Sequence, residues 1–206
     1  SIMRALIFIQ SEDSAILRSS IESIVGIQKI CNQPTDIINT VFFNESIKEE
    51  LTKYNLNKNY FIDSSEDFHP LKYVSLLENI IRGENPDIIV FSHTYQTRDW
   101  VPRLSARLNI PFVSDCININ ARNNDLVLTK QMYQGKINAD IIAKKQVIVS
   151  FQSGAFRADE IGQGSSEIEK KSIDFNLENT TIRPLEKFKE SKGGVDLSNA
   201  EIIVSV

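Results

Sequence analysis

Side chains that could bind or act on a ligand are concentrated in one polar stretch, 92–98, which follows a strongly apolar segment of the chain. The stretch holds His93, Tyr95 and Arg98, and a helical pattern begins just after it. In open α/β sheets, ligands bind beyond the carboxyl ends of strands, where the next helix points unpaired N–H groups at an anion. The position therefore allows a phosphate site, with His93 and Arg98 as the candidate cofactor-binding residues.

The composition of the same stretch also favours a contact surface for another protein. It contains no glycine, so Tyr95 and Gln96 would have to keep their side chains clear of a phosphate that approaches the backbone. Arginine and tyrosine are enriched at protein interfaces, which makes Tyr95, Arg98 and Arg103 candidates for a partner surface. Two plainer alternatives stay open: the arginines line a solvated helix face, and His93 is a structural residue.

Other kinds of chemistry find little support in the sequence. The two histidines and the two cysteines, Cys31 and Cys116, lie too far apart to give a metal-ligand spacing, so we predict no metal site. Ser114 and Asp115 lie in a predicted strand, without the Gly-x-Ser-x-Gly pattern of a nucleophile elbow. Because no set of residues predicts a hydrolase or a transferase, we expect a protein that is not an enzyme.

Charge and hydropathy argue against two further classes of partner. Lys and Arg number 23 against 27 Asp and Glu, a net charge of −4, which argues against nucleic-acid binding. The longest apolar run, Ala5–Ile9, is far too short for insertion into a membrane. Since the two cysteines form neither a disulfide framework nor a CxxC motif, we expect a reducing, cytoplasmic location.

A repeated strand–helix pattern positions the polar stretch. Four apolar segments predict buried strands, and helical patterns with apolar residues three and four apart lie between them. This alternation predicts a three-layer α/β fold, in which a parallel sheet has helices on both faces. The last helix is expected to start at Asp99, with Pro102 in its first turn and Trp100, Leu104 and Leu108 on its buried side. The predicted strands are 4–9, 36–43, 59–62 and 86–91, and the earlier helices are expected to open at Ser11 or Asp13, at Asn44 and within 64–67.

From Pro111 onward, the pattern changes to strands that follow one another through turns. These strands predict an antiparallel β elaboration attached to the parallel sheet. Its predicted members are 112–120, 126–133, 139–143 and 146–151.

The rest of the chain predicts looser connections. The segment 157–171 is polar and contains glycine, so we expect a mobile surface loop. Apolar residues alternate over 173–177, which predicts a strand, and the Lys-Gly-Gly sequence at 192–194 predicts a hinge.

Several segments, taken in order, carry a family resemblance. They are Arg98–Leu108 at the helix start, Val113–Asp115, Lys130–Lys136, Gly154–Phe156 and the tail Val195–Ser205. In order and spacing, they resemble the alpha subunit of electron transfer flavoproteins. Four positions depart from the family pattern. Thr97 stands where the family has glycine, Lys130 where it has arginine, and Lys136 where it has asparagine. Phe151 or Gln152 stands where the family has an arginine before the segment of small residues.

The resemblance implies a domain organisation. Residues 1–194 correspond to the N-terminal domain of these alpha subunits, with the loop 157–171 and the hinge 192–194 inside it. Residues 195–206 correspond to the start of the FAD-binding domain, before the glycine-rich turn with which that domain continues in the family. The expected FAD site therefore lies mostly outside this chain, and the chain alone is expected to be colourless.

The resemblance also implies a function. Electron transfer flavoproteins are alpha–beta heterodimers that carry FAD and pass electrons from dehydrogenases, such as acyl-CoA dehydrogenases, to an acceptor. The chain would then belong to an electron carrier, and this domain would be a scaffold that contacts the beta subunit. The alternative from the residues alone is an α/β module that binds a small molecule, such as the adenine nucleotide AMP, at the end of the fourth strand.

Overall fold

A computed structural model describes residues 2–63 and 70–172, and a sheet of nine strands is the largest element of this part of the chain. A separate ribbon of two short strands lies after the first strand. In chain order, the strands are β1 Arg4–Phe8, β2 Ser11–Glu12, β3 Ala15–Ile16, β4 Ile37–Phe42, β5 Lys58–Ile62, β6 Ile88–Ser92, β7 Phe112–Arg122, β8 Asp125–Met132, β9 Ile137–Ala143, β10 Val147–Phe151 and β11 Glu167–Lys171.

Four helices connect these strands. None of the helices in the described ranges is long and apolar enough to span a bilayer. The helices are α1 Arg18–Ile30, α2 Lys48–Leu51, α3 Pro70–Glu84 and α4 Tyr95–Leu108, and short 3-10 turns occur at Glu45–Ile47 and Ala158–Glu160.

The strand order across the sheet is β11-β5-β4-β1-β6-β10-β7-β8-β9. Neighbouring strands from β11 to β7 run parallel, whereas the pairs β7–β8 and β8–β9 are antiparallel. Helices cover both faces of the parallel part. The arrangement confirms the predicted α/β fold, with a mainly parallel sheet and an antiparallel elaboration in the second half.

The position of β10 differs from the prediction. We expected 146–151 to belong to the antiparallel elaboration, but β10 lies between β6 and β7 and is parallel to both. All five of its residues are buried. A continuous buried run is typical of a central strand that helices cover on both faces, and this is the physical reason for its place.

Each face of the sheet has its own hydrophobic core. Successive side chains of a strand point to opposite faces, and β1 shows this directly. Ala5 and Ile7 pack on the side of α1, while Leu6 and Phe8 pack on the side of α3 and α4. Burial on both faces explains why the central strands β1, β6 and β10 are almost entirely apolar rather than alternating.

The beginning of α1 is another correction. Ser11 or Asp13 was expected to open the helix, but this segment forms the hairpin β2–β3, and α1 starts only at Arg18. Asp13 and Ser14 form the two-residue turn with positive φ values of 49° and 64°. Such a turn matches the twist of a hairpin, and Asp is among the residues that tolerate left-handed backbone. The expected cap at Asn44 is confirmed, since its Oδ1 accepts from the N–H of Ser46 at 3.0 Å.

The segment 157–171, expected to be a surface loop, contains an edge strand. β11 pairs with β5 in parallel register. Asn59 on β5 holds the incoming segment, because its Nδ2 donates to Ser166 Oγ at 2.8 Å and to the carbonyl of Glu167 at 3.1 Å. Polar composition predicted the exposure of this segment but not its pairing, which depends on one buried asparagine far away in the sequence.

Several predictions fall outside the described residues. They are the helix opening within 64–67, the strand over 173–177, the hinge 192–194 and the domain start at 195–206. The domain boundary therefore stays a prediction.

Candidate functional site

The helix that follows β6 begins earlier than the sequence predicts. α4 starts at Tyr95, with Thr94 as its N-cap. Thr94 Oγ1 accepts a hydrogen bond from the N–H of Thr97 at 3.3 Å, and Thr97 Oγ1 accepts one from the N–H of Thr94 at 3.0 Å. This reciprocal pair is a capping box, with threonine at the position that usually holds Glu or Gln. The predicted cap at Asp99 and the predicted loop over 92–98 are wrong, because Thr-x-x-Thr is a weaker sequence indication of a helix start than Asp followed by Pro.

Thr97 connects this cap to the sheet, and the connection predicts a stability effect. Its side chain is buried, and Thr97 Oγ1 donates to the carbonyl of Ser92 at 2.5 Å. Thr97→Ala should lower the free energy of unfolding by about 1–2 kcal/mol, because the N–H of Thr94 loses its acceptor in the capping box and the buried carbonyl of Ser92 loses its donor. Thr97→Ser keeps the hydroxyl and should retain most of the stability. Urea unfolding measures both variants, and equal losses in the two would contradict this role.

Pro102 lies about two turns inside α4 rather than in its first turn. Proline has no N–H, so the carbonyl of Arg98 lacks the donor that residue 102 would otherwise supply in a regular helix. Arg98 and Pro102 are one helical turn apart, and both line a cavity beside the helix. The interruption of helical hydrogen bonding therefore falls at this cavity.

A buried glutamine lies at the crevice where the strand order of the sheet reverses. This crevice lies between the carboxyl ends of β1 and β6, the usual ligand position in open α/β sheets. Gln10, which follows β1, is buried there. Its Oε1 accepts from Thr94 Oγ1 at 3.1 Å, and its Nε2 donates to Gln96 Oε1 at 3.4 Å. Groups at the start of α4 are thus already hydrogen-bonded within the protein, which disfavours a phosphate at this helix N-terminus.

A cavity of about 400 Å³ lies on the other side of α4, against β7, β8 and β10. Three basic side chains from different parts of the fold line it: His93 after β6, Arg98 on α4 and Lys130 on β8. Asp115 on β7 contributes a carboxylate. The other lining residues are Thr97, Val101, Pro102, Phe112, Ser114, Gln131 and Ser150.

His93 lies between a hydroxyl and a carboxylate. Its Nδ1 is 3.2 Å from Ser150 Oγ, and its Nε2 is 3.9 Å from Asp115 Oδ1. Burial lowers the pKa of His93 below its usual value, Arg98 and Lys130 lower it further, and Asp115 acts in the opposite direction. The imidazole is therefore mainly neutral at pH 7, and its contact with Asp115 is not an ion pair there. Acidification adds a positive charge to the cavity.

Ser150, His93 and Asp115 have the residue types of a catalytic triad, but their geometry does not fit one. Ser150 is only 2% exposed, and its Oγ accepts a hydrogen bond from the N–H of Asp115 at 2.9 Å. A nucleophile must reach its substrate, and the carboxylate must hold the histidine at hydrogen-bond distance, which 3.9 Å exceeds. Within 2–63 and 70–172, no group of three His, Cys, Asp or Glu side chains could hold a metal ion.

Asp115 has an unusual backbone conformation at the cavity wall. Its φ is +57°, in the left-handed region that residues other than glycine adopt rarely. It lies where the pairing of β7 with β10 shifts register between Val149 and Phe151. Such a bulge re-aims the side chains of a strand. The Asp115 side chain is 43% exposed and is among those that line the cavity.

The structure brings two of the predicted site residues together and separates a third from them. His93 and Arg98 both line the cavity. Arg103 comes five residues after Arg98, which places it about 140° further around the helix. It is exposed and lies outside the cavity lining. Tyr95 is the first residue of α4.

Gln10, Lys130 and Ser150 were not predicted to be residues of this region. Ser150 is level with Phe91 in the parallel pair β10–β6, which puts it beside the end of β6 and thus beside His93. A prediction that strand 147–151 pairs with β6 would have placed Ser150 beside His93. No local pattern marks Gln10, because its role depends on the start of α4.

Comparison with known proteins identifies the family. A family model described as the electron transfer flavoprotein domain matches residues 37–176. The chain is 32% identical over 168 residues to electron transfer flavoprotein subunit alpha of Bacillus subtilis (strain 168), which covers 78% of the chain and 50% of that protein. It is 23% identical over 208 residues to the subunit of the same name from Thermoanaerobacterium thermosaccharolyticum. This match covers 97% of the chain and 63% of that protein.

A further relative is the acryloyl-CoA reductase electron transfer subunit beta of Anaerotignum propionicum, 22% identical over 234 residues, with 97% of the chain and 64% of that protein covered. The chain spans about half the length of the Bacillus subtilis protein and somewhat more of the other two. The family model covers most of the α/β sheet, from β4 to β11. The chain therefore belongs to the electron transfer flavoprotein family, in which its matched relatives include alpha subunits.

Proposed function

We propose that the chain provides the scaffold and partner-contact domain of an electron transfer flavoprotein alpha subunit. The observation that carries the proposal is the family match over residues 37–176. In this role, the protein is an electron carrier and converts no substrate itself. A bound flavin supplies the redox chemistry, while the protein binds and positions it.

We propose FAD as the cofactor of the assembled protein, bound mainly outside the nine-stranded sheet. Two observations support this placement: Gln10 at the crevice between β1 and β6 is buried and hydrogen-bonded to Thr94, and the start of α4 is capped by its own threonines. The purified, desalted chain should therefore show no stoichiometric flavin absorbance, because a flavin pocket must be preorganised to bind tightly. Stoichiometric flavin on the chain alone would contradict this placement.

The proposed partner is an electron transfer flavoprotein beta subunit, in an alpha–beta heterodimer. The proposed electron donors are dehydrogenases such as acyl-CoA dehydrogenases. A relative named as the electron transfer subunit of an acryloyl-CoA reductase supports a redox partner that acts on acyl-CoA compounds. A reducing, cytoplasmic location is supported by Cys31 and Cys116, which are both free thiols.

The outer face of α4 is the proposed contact surface for the beta subunit. Trp100 and Leu104 occupy the buried face of this helix, and Asp99 and Arg103, one turn apart, are exposed on another face. Arg103 is exposed and has no ion pair with the residues that the structure describes. Such an arginine can pair with a carboxylate of another protein without giving up an internal contact. Arg98, on the cavity side of the helix, is the proposed neighbouring contact.

Replacing Tyr95 and Arg103 together with alanine should weaken association with the beta subunit by about ten-fold or more, because Tyr and Arg dominate binding energy at interfaces. The melting temperature of the chain should stay nearly unchanged, since Arg103 has no ion pair to lose within the described residues. Isothermal titration with purified beta subunit measures the association. A matched control replaces Tyr133 and Arg122, an exposed tyrosine and arginine on the β7–β9 part of the sheet.

The two double variants distinguish the possible surfaces. Weaker association in the α4 variant alone supports the proposed surface. Weaker association in the control alone would place the contact on the β7–β9 strands instead. Unfolding of the α4 variant would show that its side chains are structural, and the surface proposal would then be wrong.

A further inference from the structure

We propose that the cavity lined by His93, Arg98 and Lys130 binds a small organic anion, a phosphate or carboxylate group carried on an apolar body. Arg98 and Lys130 pair with the anionic group, and the apolar wall of the cavity contacts the body of the ligand. This site lies within the domain itself. It depends neither on the flavin nor on the beta subunit, so it goes beyond the proposed function.

Charge is the first support for an anionic ligand. Arg98 and Lys130 are basic side chains, and among the described residues Asp115 supplies the one carboxylate in the cavity lining. Within the described ranges Arg98 has no ion pair, and Lys130 Nζ makes a long contact of 3.5 Å with Ser114 Oγ. His93 adds a third positive charge when it is protonated. A cavity with excess positive charge and low-dielectric walls concentrates anions from solution.

The placement of the donors is the second support. Arg98 comes from α4, Lys130 from β8 and Ser114 from β7, so their polar groups reach the cavity from different elements. Donors from several directions can surround a group with two or three oxygen atoms, and the arginine fork can pair with two oxygens at once. The capping box already uses backbone N–H groups at the start of α4. Recognition in this cavity is therefore by side chains.

Size and apolar surface indicate that the ligand is larger than the anionic group alone. A cavity of about 400 Å³ falls in the range of roughly 300–1,000 Å³ that is typical of small-molecule sites. Val101, Pro102 and Phe112 form the apolar part of its lining. An apolar body packed against these side chains would occupy the part of the cavity that a lone phosphate or carboxylate would leave empty.

Asp115 gives the site a repulsive element. A carboxylate beside two cations weakens the binding of every anion, and it thereby restricts the site to ligands that pair well with both cations. The proposal can therefore be tested in both directions: loss of a cation weakens binding, and loss of this carboxylate strengthens it.

Phenyl phosphate and benzoate are suitable probes, since each carries one anionic group on a flat ring. Either is titrated into the ¹⁵N-labelled chain at pH 8 and low salt, where His93 is neutral, and amide chemical shifts are followed by NMR. Inorganic phosphate and phenol serve as controls that carry only the anion or only the ring. We expect saturable binding of at least one probe, with shifts centred on the cavity residues, and weaker binding of both controls.

Variants assign the binding to the cavity. Arg98→Ala and Lys130→Ala should each weaken probe binding about ten-fold, as expected for the loss of one charge-assisted contact. Asp115→Asn should tighten it several-fold, and asparagine tolerates the left-handed conformation at this position. Arg103→Ala is the matched control, because it removes an exposed arginine of the same helix that lies outside the cavity lining. It should leave the affinity unchanged.

Binding of either probe that depends on both Arg98 and Lys130 supports the proposal, and the tighter probe identifies the preferred anionic group. Absence of saturable binding of both probes up to on the order of 10 mM would overturn it. Binding that is unchanged in Arg98→Ala and Lys130→Ala would overturn it as well. The titration uses the chain alone, so its failure would leave the proposed association with the beta subunit untouched.

Discussion

Replacing Trp100 with alanine should lower the free energy of unfolding by about 3–5 kcal/mol, the range seen when large buried aromatic residues are removed. Trp100 is 1% exposed and lies between α4 and the sheet. Its ring centroid is 5.5 Å from that of Phe8 and 5.3 Å from that of Phe91, both in edge-to-face geometry. Such pairs add stability beyond the burial of apolar area, and alanine would leave a cavity among them.

Urea or thermal unfolding, followed by circular dichroism, measures this loss. Trp100→Phe is the control, because phenylalanine keeps an aromatic ring in the same layer and should cost clearly less than alanine. A loss below about 1 kcal/mol in Trp100→Ala would contradict the packing of α4 on the sheet. It would also remove the basis for assigning the opposite face of this helix to a partner.

A second large effect is expected at Gly26, inside α1. A Cβ atom at this position would lie 2.5 Å from the ring of Phe156. Phe156 is buried, and its ring packs edge-to-face on Phe151 at a centroid distance of 4.9 Å. Overpacking at this position would force the Phe156 ring to move. The free energy of unfolding of Gly26→Ala should therefore be about 1–3 kcal/mol lower than that of a helical Gly→Ala variant without a steric conflict.

Gly83 in α3 provides that matched reference, since a Cβ atom at this position would meet no neighbour within 4 Å among the described residues outside its own turn of helix. Gly83→Ala gains helix propensity, about 1 kcal/mol, without a clash. Phe156→Leu in the Gly26→Ala background should recover part of the loss, because leucine leaves room for the new methyl group. Equal unfolding free energies of Gly26→Ala and Gly83→Ala would contradict the close approach of Phe156 to α1.

The parallel core of the fold could be predicted from the sequence. β1 is continuously apolar after Arg4 and β6 is continuously apolar up to Ser92, and helical patterns of suitable length connect the strands around them. The physical reason is general: a strand covered by helices on both faces must be apolar at every position, which leaves a clear pattern. The predicted strand 4–9 ends one residue later than β1. The predicted strand 36–43 is one residue longer than β4 at each end.

Strand order could not be predicted in the second half. β10 follows the antiparallel hairpin β8–β9 along the chain, yet it inserts between β6 and β7. Hydrogen bonds between parallel strands are made over long sequence separations, and a local pattern does not record the partner. β11 is a similar case, because its place at the edge depends on Asn59 of β5.

The candidate site was only partly predictable for the same reason. His93 and Arg98 stand close together in the sequence, at the end of a recognisable strand, and they were identified. Asp115, Lys130 and Ser150 reach the same cavity from three other strands, β7, β8 and β10. Their meeting depends on the position of β10 and on the bulge in β7, and neither leaves a local sequence pattern.

The most direct test of the proposed function is sedimentation velocity of the chain mixed with the electron transfer flavoprotein beta subunit from the same source. We expect a single faster-sedimenting species at equimolar mixing, which corresponds to a one-to-one complex. The Tyr95→Ala, Arg103→Ala double variant should shift this species back toward the free components. Two components that sediment independently at micromolar concentrations, with the chain folded, would contradict the proposal that this domain contacts the beta subunit.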